Sequence, residues 1–315
     1  VYPFKYLAGV GVAYKLVQAL KQLTVNSEQL TETEKLLALV AIGTVADSVP
    51  LIGENRILVT YGLKALNSNS AGPWVSILRE TSGTGDKELR SLLLSYTLIP
   101  RINAAGRLGE ADEVVEFFLT QDMAKAKGIA LHLETRNRER QRIEGDVYKS
   151  AVSMIDADKL DSAIVLYSSQ WHPGVIGIVA SRLAEMFYRP TFLFSVKEDI
   201  AKGSARSIPH FNLYKGITEC ADILLSYGGH RQAAGLRLSV KNLPAFKERI
   251  NSVVENTLIP HDMAPTIEID ATVELFEVNF NLVKEINLLE PFGNSNQPPL
   301  LGIKEAEVVG PRVVG

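Results

Sequence analysis

Two short stretches gather side chains able to hold an anion. Residues 203–207 read GSARS and residues 226–235 read SYGGHRQAAG. In the first, Gly203 and Ala205 keep the backbone thin, while Ser204 and Arg206 are two apart and so share one face of a strand. That spacing lets a hydroxyl and a guanidinium grip one phosphate. In the second, the pattern predicts a helix ending at Tyr227 with Gly228 as its C-cap. The pair Gly228 and Gly229 then delivers His230 beside the small residues Ala233, Ala234 and Gly235, which leaves open space for a ligand. Taken singly, a surface arginine and a histidine after a helix cap are ordinary structural features.

Further candidates are weaker alone. In SSQWHPGVIGIVASRL (168–183) a strand ends at the serines, His172 occupies the turn, and Pro173 suits the first helical position. Such a helix N-terminus attracts anions, or His172 simply covers the strand end. PRINAAGR (100–107) places Arg101 and Arg107 around an Asn-Ala-Ala turn. Asp47 stands at the exit of an apolar helix as a single carboxylate, which cannot hold a catalytic divalent ion without other ligands. The segment with Arg136, Arg138, Arg140 and Arg142 among Glu134, Glu139 and Glu144 reads as a solvated helix face laced with i to i+4 pairs. No P-loop, GxSxG elbow, HExxH or strand-linked GxGxxG occurs.

The elements that must carry these groups fall into blocks. From Leu7 to Gly109 the pattern is helical, with a capping box at Thr31 and Glu34 and a stop at Pro50. One long helical stretch follows over Asp112–Ile155. Strands then alternate with helices, which predicts an α/β domain with a short sheet. From about His261, TIEIDATVEL and LLGIKEAEVV flank the turn-rich PFGNSNQPP and predict a third, all-β module.

Composition bounds the partners. The 315 residues are 46% hydrophobic and 22% charged, enough for two or three packed cores. With 33 Lys and Arg against 36 Asp and Glu, the net charge is −3, so any polyanion must be held by local basic clusters. The longest apolar run, Leu36 to Ala46, is far short of the roughly 20 residues that span a bilayer. The single cysteine, Cys220, excludes a disulfide framework within the chain and fits a cytoplasmic setting.

In order, GTVADSVPL, PRINAAGRLG, SSQWHPGVIGIVASRL, GSARSI and SYGGHRQAAG resemble the successive motifs of the bacterial RecJ family. These are single-strand-specific 5′ to 3′ DNA exonucleases of the DHH phosphoesterase superfamily. The resemblance implies an α/β protein: the rear helical part of a DHH domain at 1–111, a connecting helix at 112–158, a DHH-associated domain with a small mixed sheet at 159–258, and a partial OB-fold at 262–315. By position, Asp47 matches the last metal-binding aspartate, a catalytic role shared with His230 beside the scissile phosphate. Ser204 and Arg206, with Arg101 and Arg107 jointly, match the 5′-phosphate pocket. His172, Gly228 and Gly229 match positions along the DNA path. Implied cofactors are Mn2+ or Mg2+, and implied partners are single-stranded DNA with a 5′ end, single-strand-binding protein and a helicase.

The family's aspartate pairs and its Asp-His-His triplet have no counterpart in this sequence, which begins at Val1. The expectation is therefore a fragment, open at both ends, that cannot cut DNA alone and exposes apolar surface on its helical part. Two other readings share the scaffold: a binding protein without hydrolysis, and a phosphodiesterase of short oligonucleotides.

Overall fold

The computed structural model describes residues 2–24, 30–68, 71–108, 111–307 and 309–312. The chain separates into two compact units: 1–106 with 110–135 and 267–315, and 107–109 with 136–266.

The first unit is mainly helical: α1 (Gly9–Thr24), α2 (Leu30–Ala46), α3 (Gly53–Asn67), α4 (Pro73–Ser82), α5 (Ser91–Tyr96), α6 (Leu98–Leu108), α7 (Ala111–Leu119) and the first part of α8 (Met123–Ser153). Its core joins Ala38 and Ile42 of α2 to Leu66, Trp74, Leu78, Leu94, Leu98, Phe117 and Leu133. Trp74 meets Phe117 and Phe118 edge-on, at ring separations of 6.5 and 4.9 Å. Apolar residues of α1, Val12, Leu16, Leu20 and Leu23, stand exposed, so the expected apolar surface on the helical part is present.

The structure departs from the sequence pattern at several points. PRINAAGR is not a turn: α6 runs through it, because Pro100 falls in the first helical turn, where its missing N–H breaks no intrahelical bond. The stretch 112–155 is two helices, broken at 120–122, where the Asp122 carboxylate accepts from the amides of Ala124 and Lys125 and starts α8 afresh. The arginine-rich face is not simply solvated. Arg140 is only 9% exposed and donates to both Asn137 and Glu144. The capping box at Thr31 and Glu34 involves side chains outside the described residues.

The second unit is an α/β domain. Strands β1 (Ile164–Ser168), β2 (Thr191–Lys197), β3 (Ile200–Arg206), β4 (Ser226–Gly229) and β5 (Ala233–Ser239) form one sheet in the order β1-β2-β3-β5-β4. β1 and β2 are parallel, joined through α9 (Ile176–Phe187), and the remaining pairings are antiparallel. Alternation assigns the two faces. Phe192, Phe194, Ala201, Ala205, Ala234, Leu236 and Leu238 pack towards Phe246, Ile250 and Val254 of α11 (Leu243–Thr257) and Leu213 and Ile217 of α10 (Leu213–Thr218). Leu193 on the opposite face joins Val175, Val179 and Leu183 of the α9 region and Val147 and Ala151 of α8. Burying Phe and Leu side chains of this kind contributes roughly 1.5–3 kcal/mol each.

The predicted helix to Tyr227 ends much earlier. α10 stops at Thr218, a 3-10 turn covers Ala221–Ile223, and Ser226–Gly229 pairs as β4 with β5, so Gly228 is a strand residue and not a C-cap. A short apolar run such as ADILLSY suits either element, and the free edge of β5 decided it. Likewise Pro173 does not open α9, which begins at Ile176 after the turn 172–175 closed by Val175 N–H donating to His172 O.

The last segment, in the first unit, contains β6 (Ala271–Thr272) and β7 (Leu301–Gly302), a short parallel pair, with α12 (Phe280–Asn287) between them. Among the described residues, the alternating segments 266–275 and 300–309 pair only there, since alternation makes a strand only where a neighbouring edge supplies hydrogen bonds.

Candidate phosphate and nucleic-acid site

Ser204 and Arg206 do share a face of β3, the one turned towards α9. Arg206 Nη1 donates to Ser204 Oγ at 3.2 Å and to Ala205 O at 2.9 Å. The first turn of α9 closes in over them: a methyl placed on Gly177 would lie 2.8 Å from Ser204 Oγ and 3.1 Å from Arg206 Nη2. Glycine there lets a helix N-terminus, with its unpaired N–H groups, approach a hydroxyl and a guanidinium directly.

Arg107 joins this cluster. Its Nη1 donates to Gly174 O at 3.2 Å, in the turn before α9. Burial, and then the like charge of Arg107, lower the pKa of Arg206. Arg107 is itself lowered by burial and by Arg140, with Glu144 acting the other way. Both guanidiniums remain cationic at any physiological pH. Glu144 is already engaged, accepting from Arg140 Nη1 at 2.8 Å and Arg182 Nη1 at 3.2 Å. Arg182 also stacks 3.9 Å above the Tyr148 ring. The result is a concentration of positive charge that an incoming anion would relieve.

The two histidines are held alike. His172 Nδ1 accepts from the Gly174 amide at 3.1 Å, and His230 Nδ1 accepts from the Gln232 amide at 3.3 Å. In a neutral ring an accepting Nδ1 leaves the proton on Nε2, so each imidazole keeps a donor there. His172 lies against Gly174, hence beside Arg107. His230 closes the β4–β5 hairpin, its amide donating to Ala233 O at 2.9 Å. Gly229 is required there: its φ is +150°, and a Cβ would fall 2.3 Å from Ala233 O. Gly228 has open space where a side chain would stand.

Strand register then links the two motifs read from sequence. Arg206 pairs with Ala233, next to His230, and Ser204 pairs with Gly235, which pairs with Gly228. Directly paired residues share a face. The surface from Ser204 and Arg206 to His230 is thus floored by Gly235, Ala233 and Gly228.

Arg101 and Asp47 belong to the first unit. Arg101 is engaged, its Nε 2.7 Å from Glu134 Oε2 and its Nη1 donating to Thr97 O. Asp47 is exposed at the end of α2, and its amide donates to Gly43 O. Its carboxylate is open to serve as one metal ligand. No group of three His, Cys, Asp or Glu that could hold a metal occurs among the described residues, so Asp47 fits a divalent ion as one ligand and no more. Sequence reasoning passed over Gly177 and Arg182 and read Arg140 and Glu144 only as part of a solvated helix face; the available signals were the glycine in the first turn of α9 and the arginine-rich segment of α8.

Comparisons with known proteins bear on the chain and its fold. Residues 160–256 match the DHHA1 domain and residues 269–315 match the RecJ OB domain. The chain is 40% identical over 319 residues to the single-stranded-DNA-specific exonuclease RecJ of Bacillus subtilis, covering 100% of this chain and 39% of that protein. With the RecJ of Thermus thermophilus it shares 35% identity, covering 93% and 41%. The crystal structure of Thermus thermophilus RecJ in complex with Mn2+ superposes with a TM-score of 0.82 at 33% identity, covering 93% of this chain and 43% of that one. A structure of exonuclease RecJ bound to manganese gives 0.66 at 35% identity, covering 82% and 64%. The chain spans about two fifths of the length of the Bacillus and Thermus relatives. Two domain matches in chain order, relatives 40% and 35% identical along the chain, and a scaffold that superposes with solved RecJ structures identify this chain with the C-terminal region of RecJ-family proteins.

Proposed function

We propose that this chain is the phosphate-gripping and strand-holding part of a metal-dependent exonuclease that degrades single-stranded DNA from its 5′ end. One observation carries the reading: Arg107 is held at Gly174 in the turn before α9, and Arg206 at the first turn of that helix beside Ser204 Oγ, each within the other's field. Bringing like charges together in partial burial is unfavourable, and a terminal phosphate of up to two negative charges reverses that cost through charge-assisted hydrogen bonds. Of the two arginines flanking INAAG, Arg107 fits this role and Arg101 does not, because Arg101 is committed to Glu134.

In this reading Ser204, Arg206 and Arg107 orient the 5′ phosphate. His172 adds a donor beside Arg107, and the His230 Nε2 proton faces a non-bridging oxygen of the next phosphodiester. Asp47 would hold a divalent ion together with other carboxylates; Mn2+ or Mg2+ supplies a Lewis acid and lowers the pKa of a bound water. Residues 1–111 then act as the rear of the DHH domain, 112–158 as the connecting segment, 159–258 as the DHH-associated domain and 262–315 as a partial OB-fold along the strand. Single-strand-binding protein and a helicase would supply such substrate. The 5′ end specificity is tested by Arg206→Ala. Affinity for a 5′-phosphorylated oligothymidylate falls by about tenfold or more, while a 5′-hydroxyl strand loses less than about threefold. Equal losses on the two strands in a fluorescence-anisotropy titration would overturn the reading.

A further inference from the structure

The sheet face that carries Ser204 and Arg206 continues past them. Two residues back along β3 stands Lys202, which pairs with Arg237 of β5, which in turn pairs with Ser226 of β4. Lys202 and Arg237 are both exposed. Three cross-strand rows therefore follow one another on one face: Arg206 and Ala233, then Ser204, Gly235 and Gly228, then Lys202, Arg237 and Ser226. Strands lie about 4.8 Å apart and rows on one face about 6.6 Å apart, which puts the last row about 13 Å from the first. The middle row is bare. A methyl placed on Gly228 would meet nothing within 4 Å, and one on Gly235 only Gly203 O at 4.0 Å. No acidic residue occurs in β3, β4 or β5. On the half of this face nearer β1, Leu193 is covered by the α9 region, Ser195 donates to Trp171 O at 2.6 Å, and the first turn of α9 flanks Ser204 and Arg206, so the open part is β5 and β4 with the Lys202 end of β3.

We infer that Lys202 and Arg237 form a second phosphate-binding row, and that the glycine-floored strip between the rows is a track for the first nucleotides of a single-stranded polynucleotide. The inference rests on the 5′-phosphate reading of Arg206 and deepens it. An extended strand entering at Arg206 crosses Gly235 and Gly228, where no side chain obstructs its sugar and base, and meets Lys202 and Arg237 with a later phosphate. Arg206 thus selects the end, and the second row selects length.

The test uses anisotropy titrations of the protein with two 5′-phosphorylated probes: a 12-nucleotide oligothymidylate and a dinucleotide too short to reach the second row. For Lys202→Ala/Arg237→Ala, affinity for the 12-mer falls about tenfold at 0.1 M salt, and the slope of log K against log salt flattens by roughly 0.7 for each phosphate no longer neutralised. Dinucleotide affinity stays within about twofold. The charge-keeping variant Lys202→Arg/Arg237→Lys restores 12-mer binding. Gly235→Val, which adds bulk without removing charge, weakens the 12-mer and leaves the salt slope unchanged. Unaltered 12-mer binding in the double alanine variant overturns the inference, as does an equal loss on both probes. If Arg206→Ala spares 5′-phosphate preference while the double variant still loses length dependence, the terminal-phosphate reading fails and the second row stands.

Discussion

Arg101 and Arg107 lie on one helix and end in different chemistry. Arg101 reaches Glu134 at 2.7 Å with both side chains nearly buried, at 13% and 14% exposure. Arg107 reaches the turn before α9 and shares its field with Arg206 and Arg140. Removing one partner of a mostly buried ion pair leaves the other uncompensated, so Arg101→Ala is expected to cost about 2 kcal/mol, a drop of several degrees in melting temperature. Arg107→Ala is expected to leave the melting temperature within about 2 °C, because a charge held against like charges stabilises little, and to weaken 5′-phosphorylated strands about tenfold. Calorimetry and anisotropy on the two variants separate them; a reversed pattern would assign the phosphate to Arg101. Sequence left the two equal, since both flank the same small residues. Only the partner contributed by another helix distinguishes them. For Ser204 and Arg206, by contrast, spacing alone was sufficient: a two-residue repeat in a strand fixes a common face whatever surrounds it.

At the scale of elements, the turn carrying Asp47 is not self-supporting. Leu51 N–H donates to Asn294 O at 2.7 Å, and Asn294 Nδ2 donates to Ser48 O at 2.6 Å. Gly293 lies so close to Leu51 that an added Cβ would sit 2.6 Å from its Cδ1. The loop is anchored in turn by Ser91 Oγ donating to Phe292 O and by Arg90 pairing with Glu290. Asn294→Asp keeps the side chain's size and loses its donor. It should cost about 1 kcal/mol and speed hydrogen exchange at the Leu51 amide severalfold, with distant core amides unchanged. Protection at Leu51 equal to that of the unaltered protein would show that the backbone bond alone holds the turn. The turn character of PFGNSN was legible from its Pro, Gly and Asn content. Its docking site was not, because the contact spans 246 positions and involves one backbone carbonyl, which has no residue signature. The same limit explains the misread β4, whose identity depended on the edge of β5 and not on its own residues.

Over the whole molecule, a net charge of −3 gives no long-range attraction for a polyanion, yet Arg107, Lys202, Arg206 and Arg237 occur in the second unit, the last three on one sheet face. On the proposed reading, local placement, invisible to a charge count, carries the affinity, and binding should weaken with salt only as steeply as the few phosphates engaged. Hydrolysis makes a different demand. A two-metal reaction needs several carboxylates around the ions, and among the described residues none of the required clusters forms. The ordered motifs made the family legible in the sequence, while the proposed separation of grip from metal chemistry rests on the ligands that the described residues supply. The protein is accordingly expected to bind single-stranded DNA and to leave it intact. Incubated with Mn2+ and a 3′-labelled, 5′-phosphorylated strand, it should release no more product than Mn2+ alone, whereas the same strand should be retained in an anisotropy assay. Shortening that depends on both manganese and the 5′ phosphate would mean that Asp47 and its neighbours assemble a working metal site after all, and that grip and metal chemistry are not divided.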